Sequence, residues 1–232
     1  MWPIPTIENN FITFSFSINT VTCCWMEQIN HNKTIVHAYE RHHLSSLTLH
    51  NLFIFNPTYI HRIITNFLDQ HNKHNAYVSF VLDLSPLYER WVTSLSSTPT
   101  MADLGLTNSS AFLSGYKLMY HHEKSNYVFY CYKIPRSLLL QYQLVITSLR
   151  LNALSIATQT LVLFDAYTQL SNIPFRYSQC ALDMTRVNNN ITALISTEIL
   201  SEKLIIPSTI SLAKELPYLA TTYTITTKGH KP

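Results

Sequence analysis

The sequence predicts an α/β protein. Three observations carry that reading. Short alternating strand patterns come in groups, helical apolar spacing separates them, and 47% of the 232 residues are hydrophobic while 12% are charged. Such a chain folds around a real core rather than staying disordered.

The elements follow in order. Residues 14–26 read FSFSINTVTCCWM, two alternating apolar runs around a polar Ser17-Ile18-Asn19-Thr20 step. This is a strand, a tight turn and a strand, although the turn lacks glycine and the chain has only three glycines. Asparagine tolerates left-handed backbone better than other non-glycine residues, so Asn19 is the expected substitute. Residues 33–43 suggest a third strand and complete a meander. Over 57–70, Ile60, Ile63, Ile64, Phe67 and Leu68 recur at helical spacing, with Pro57 near the start and Thr58 available as a cap. An apolar strand over 76–84 gives the order β-β-β-α-β, a common opening of an α/β layer.

A second unit begins at residue 85. A strand over 88–95 and a loop over 96–107 precede a hairpin, 115–120 with 127–133. A helix follows over 135–149, with Pro135 at its first position. Residues 152–156 read as a short strand or turn, and 158–170 as a second helix. After residue 172 strand patterns return at 178–184, 190–196 and 202–207. Residues 211–218 begin another helix, and 219–232 form a polar tail.

The formal charge of +3 carries no long run of one sign, which argues against a nucleic-acid binder. The amino terminus, MWPIPTIENN, has no basic segment followed by an apolar core, so no signal peptide is expected. No apolar run approaches the roughly 20 residues that span a bilayer. A cytoplasmic protein is expected. Cys23, Cys24, Cys131 and Cys180 form no CxxC and read as small buried hydrophobes, with Cys23 and Cys24 on opposite faces of one strand.

The order of these segments resembles the actin-like ATPase superfamily, and within it the PilM/FtsA branch. The fullest match is 127–167, YVFYCYKIPRSLLLQYQLVITSLRLNALSIATQTLVLFDAY, which resembles the family's edge strand, Pro-initiated helix, strand and return helix. FSFSINTVTCCWM is similar to the family's first phosphate hairpin, D-I-G-S-S-S-x-K, with Ser15 for the Asp, Ser17 for the Gly and Thr22 for the Lys. Residues 179–196, QCALDMTRVNNNITALIS, are similar to the second, D-I-G-x-x-x-T, with Asp183 kept and Thr185 for the Gly. The resemblance covers most of residues 11–210. It implies an actin-like (ribonuclease-H-type) first lobe over 11–84 and a small α+β (SHS2-like) insertion over 85–157. A return helix over 158–176 and the start of a second lobe over 177–218 would follow.

The departures bear on function. In this superfamily glycine hairpins let backbone N–H groups close on nucleotide phosphates. Ser17 and Thr185 add a Cβ at those points and Ser15 removes a carboxylate. The chain also ends soon after the second hairpin, before the family's adenosine pocket. The resemblance therefore implies a degenerate, truncated relative, a pseudo-ATPase whose vestigial phosphate residues are Ser17, Asn19, Thr20, Asp183 and Thr185. No cofactor is expected; ATP with magnesium is what the family would bind. The implied function is a non-catalytic scaffold of type IV pilus, competence or secretion machinery, peripheral at the inner membrane through a partner. PilM-like proteins bind a short cytoplasmic peptide of an inner-membrane partner between main lobe and insertion. The segments 76–84 and 135–149 would lie nearest that groove. The alternatives are an ATP-binding protein with altered loops and an FtsA-like self-associating module.

Other constellations have ordinary readings. Asp183 is a strand-end residue able to cap its own turn. Asn188, Asn189 and Asn190 substitute for glycine in a turn. His42-His43 and His121-His122 diverge on extended backbone and lack partners at ligand spacing, so no metal is expected. No nucleophile elbow of the G-x-S-x-G type occurs. On the strand at 127–132 both faces are apolar, so each must be covered, one by the core and the other by a helix or a partner.

Overall fold

The structure is a computed structural model that describes residues 10–30, 33–84, 87–107, 109–122, 126–170 and 195–228. The strands are β1 (Asn10–Phe16), β2 (Thr20–Asn30), β3 (Lys33–His43), β4 (Leu49–His50), β5 (Phe53–Ile54), β6 (Tyr77–Leu82), β7 (Glu89–Ser94), β8 (Phe112–His122), β9 (Asn126–Pro135), β10 (Asn152–Thr158) and β11 (Leu204–Ile205). The helices are α1 (Pro57–His71), α2 (Arg136–Ser148), α3 (Gln159–Leu170), α4 (Thr197–Lys203) and α5 (Leu212–Lys228).

A six-stranded mixed sheet in the order β10-β6-β1-β2-β3-β11 forms the centre. The meander β1-β2-β3 is antiparallel, whereas β6 and β10 run parallel to β1. Parallel pairing brings the carboxyl ends of β1, β6 and β10 to one edge, with Phe16 beside Leu82 and Leu82 beside Thr158. Both faces are covered, which is why β1 is buried at Phe11 through Phe16 rather than alternating. Ile12, Phe14, Phe16 and Cys23 pack with α1 and α2; Cys24, Met26 and Val36 pack with α3 and α5. The two adjacent cysteines thus enter opposite cores.

The helix α1 starts one residue before the expected cap. Asn56, not Thr58, accepts from the Tyr59 N–H at 3.1 Å, and Pro57 takes the first helical position. Asn72 closes the helix in the left-handed conformation. The hairpin β4-β5 turns through Asn51 and Leu52, both at positive φ. It is held by α2, where Tyr142 donates to the Leu52 carbonyl at 2.7 Å and Gln141 accepts from the Ile54 N–H at 2.8 Å.

Three expectations are corrected. First, α2 and β10 belong to the main lobe, not to an insertion reaching residue 157. Leu138, Tyr142 and Val145 are in the α1 core, and β10 pairs with β6. The inserted sheet is β7-β9-β8, and it ends at Pro135. Second, of the second lobe expected over 177–218, residues 177–194 lie outside the described residues, and 195–218 pack on the same central sheet. β11 adds to the β3 edge, and Leu200, Leu216 and Leu219 enter the core beneath α3. Third, the polar tail is helical and buried through residue 226. The Thr221, Thr222, Thr224 and Thr226 hydroxyls donate back to carbonyls four residues earlier, so their methyl groups pack without an unpaired polar atom. Arg41 lies 3.5 Å from Glu215 and stacks over Tyr218, and Tyr39 donates to Glu215, fastening α5 to β3.

The inserted sheet is sandwiched. Trp91 and Val128 face α3, with Trp91 against Phe164. The opposite face, at Phe129 and Cys131, is covered by Leu104 and Leu106 of the loop before β8. The aromatic strand therefore has both faces covered within the chain.

Candidate functional site

Two features meet at the carboxyl edge of the parallel strands. The first is the turn that the sequence marks as a vestigial phosphate hairpin. Ser17 to Thr20 form the turn beyond the Phe16–Val21 pair, closed by the Ser17 N–H donating to the Thr20 carbonyl at 3.0 Å. Asn19 does not take a left-handed backbone; positive φ falls instead at Asn51, Leu52, Asn72, Arg150 and Gly105.

The hydroxyls of Ser17 and Thr20 bond to each other, and Thr20 is buried. The Asn19 carbonyl accepts from the Leu44 N–H and the Phe16 carbonyl from the Asp83 N–H, both at 2.8 Å. Ser15 and Thr22 are paired across β1 and β2 on the α5 side and are 4% and 1% exposed. A buried threonine cannot extend a charge toward a phosphate as lysine would. The turn is knit to its own fold. Asp183 and Thr185 lie outside the described residues, as do Cys180 and Asn188 to Asn190. Among the described residues no group of His, Cys, Asp and Glu is arranged to hold a metal.

The second feature is a groove of about 450 Å³ between main lobe and inserted unit. Leu113 and Lys117 of β8 and Tyr132 of β9 form one wall. Leu82 of β6 and Leu139 and Gln143 of α2 form the floor and a second wall, the two segments expected nearest such a groove. Ile156 and Thr158 of β10, with Leu161 of α3, complete it. The groove is mainly apolar, with a charged pair at its rim, Lys117 Nζ to Asp165 at 3.9 Å.

Its surroundings are open. Among the described residues β10 is the last strand of the sheet, and its residues 152–155 are exposed. Leu113, Leu140, Leu144 and Leu154 are 38%, 55%, 67% and 48% exposed. The edge strand of the described sheet thus runs beside an apolar trench.

Behind the groove wall is Glu89, 5% exposed at the start of β7. Its carboxylate accepts from the Tyr130 hydroxyl at 2.6 Å and from the Thr160 hydroxyl of α3. Burial pushes its acid up to about 7, against the two hydroxyl bonds that hold it down, and Asp83 adds a push upward. Sequence reasoning missed Glu89 and the β8 and β10 lining. The available signals were a lone acid inside an apolar strand and leucines on the outer side of a hairpin.

The fold has known counterparts. A solved structure of a PilM–PilN type IV pilus biogenesis complex matches with a TM-score of 0.54 at 11% identity, covering 74% of this chain and 54% of that one. The cytoplasmic domain of EpsL, an inner-membrane component of the type II secretion system of Vibrio cholerae, matches at 0.40 and 12% identity over 66% of this chain and 57% of that one. A Bacteroides thetaiotaomicron protein with an actin-like ATPase fold matches at 0.35 and 12% identity over 74% and 62%. The chain thus spans little more than half the length of these counterparts. No family model and no curated protein matches it. The protein has a mixed α/β fold built on a central six-stranded sheet, similar to that of the PilM–PilN structure.

Proposed function

We propose that this chain is a non-catalytic scaffold that holds a short extended peptide of an inner-membrane partner in the groove between main lobe and inserted unit. The setting is type IV pilus or related secretion machinery. The observation that carries the reading is the apolar groove beside β10, the edge strand among the described residues, in a fold similar to that of the PilM–PilN structure. The position is cytoplasmic, at the inner membrane through that partner. Among the described residues no helix is long and apolar enough to cross a membrane.

The same reading excludes ATP with magnesium as a ligand. It is supported by the Ser17–Thr20 hydroxyl bond and the burial of Ser15 and Thr22. A thermal-shift titration with Mg-ATP tests this part, since a ligand of the folded state raises the melting temperature as its concentration exceeds its Kd. The expected result is no shift up to millimolar nucleotide. A rising shift would replace this reading with an ATP-binding one. Partner pull-down tests the rest. Leu113→Arg and Leu154→Arg should abolish it while leaving the melting temperature within about a degree or two, both positions being exposed.

A further inference from the structure

We propose that Glu89 is a protonation-controlled latch that fastens the inserted unit to the main lobe behind the groove. Its consequence for peptide binding rests on the function proposed above; the latch itself does not. One carboxyl group joins three elements here. Glu89 belongs to β7, accepts from Tyr130 of β9, and accepts from Thr160 at the start of α3. The first two elements are the inserted unit and the third is the lobe.

The groups around Glu89 make its charge costly. From β9 come the phenols of Tyr130 and Tyr132, from the end of β6 the carboxylate of Asp83, and from the β10–α3 junction the hydroxyls of Thr158 and Thr160. On its own strand Arg90 is occupied elsewhere, donating to the Leu104 and Gly105 carbonyls at 2.8 Å. Lys133 of β9 borders the same cavity as Glu89, and the charge that bears on the acid is the Asp83 carboxylate, which opposes its ionisation. A buried carboxylate held by two neutral donors gains from opening to water, whereas the neutral acid gains nothing. Deprotonation thus favours separation of β7 from α3. Protonation keeps them closed, with one hydroxyl turned to accept from the acid.

The latch is next to the groove. Tyr132 and Thr158, which line it, are each two residues from a latch partner, Tyr130 and Thr160. Opening at Glu89 moves the wall carrying Tyr132 relative to the floor carrying Leu82 and Thr158. Acidification would then narrow the groove and neutral pH would free it.

Hydrogen exchange on the full chain without peptide tests the latch independently of any partner. Amides of β7 and of the first turn of α3 are followed from pH 5 to 8.5, corrected for intrinsic exchange. In the wild type, protection should fall by up to about tenfold per pH unit until near pH 7, then level off. Glu89→Gln should give a flat profile. Tyr130→Phe and Thr160→Val each remove a donor to the carboxylate, so the fall should continue to higher pH. If Glu89→Gln does not fold, these two variants decide the question. A flat wild-type profile, or donor variants whose break point stays unmoved, overturns the proposal. If exchange behaves as described and no peptide binds, the latch stands and the groove function falls.

Discussion

Gly115 lies opposite Tyr132 across β8 and β9, and a Cβ there would run into the Tyr132 ring. The missing side chain is what lets Tyr132 form a wall of the groove. Gly115→Ala should therefore cost about 1–3 kcal/mol in urea unfolding, by forcing the ring aside. An unchanged midpoint would mean that Tyr132 is free to move. Glu89 gives a second prediction at this scale. The unfolded chain ionises it near 4.5, while the folded chain keeps its proton until about 7. The folded state binds more protons between those values, so its contribution is fully present below pH 4.5 and is lost as pH rises to about 7. The loss is of order 3 kcal/mol. Urea midpoints of wild type and Glu89→Gln across that window measure the difference, and parallel curves would contradict it. None of this was legible from residue type: "YERWVTSL" does not say that the acid points inward. The Ser17–Thr20 turn was legible in position and not in mechanism. The expected left-handed asparagine does not occur there, and the hydroxyls of Ser17 and Thr20 bond to each other across the turn.

The elements divide by how much of their pattern is local. The helix α1 is the clearest, since five apolar residues at helical spacing are the same five that are buried. Asn56→Ala should destabilise the protein by about 1 kcal/mol, because its side chain satisfies the Tyr59 N–H. Urea unfolding reads this, and Thr58→Ala should have the smaller effect. β4 and β5 were illegible because their turn uses Asn51-Leu52, not an Asn-Gly pair. The continuation of α5 beyond residue 218 was illegible for a different reason. Its threonines count as polar, yet their hydroxyls are spent on the helix's own carbonyls and their methyls face the sheet. Composition cannot reveal that exchange. The groove was partly legible: 76–84 and 135–149 supply Leu82, Leu139 and Gln143, while the β8 and β10 walls needed the tertiary fold.

In the whole molecule one sheet separates two cores, and the chain's last helix completes the second. Cys24 is sealed beneath α5, where burial pushes its thiol up to about 12, and Thr222 on α5 is its hydrogen-bond partner. Removing residues 212–228 should uncover Cys24, Met26 and Val36. In a Cys180→Ser background the truncated chain should bind a hydrophobic dye and react with a thiol reagent faster than the full-length variant does. Equal thiol reactivity in both would show that α5 does not cover the sheet in solution.

Calorimetry tests the groove most directly. The probe is a synthetic peptide copying the cytoplasmic segment of a PilN-like membrane protein from the same source. One-to-one binding is expected, and Leu113→Arg should weaken it by at least about tenfold, or roughly 1.4 kcal/mol. Binding of equal strength to wild type and Leu113→Arg would contradict it, as would heat from Mg-ATP with none from the peptide.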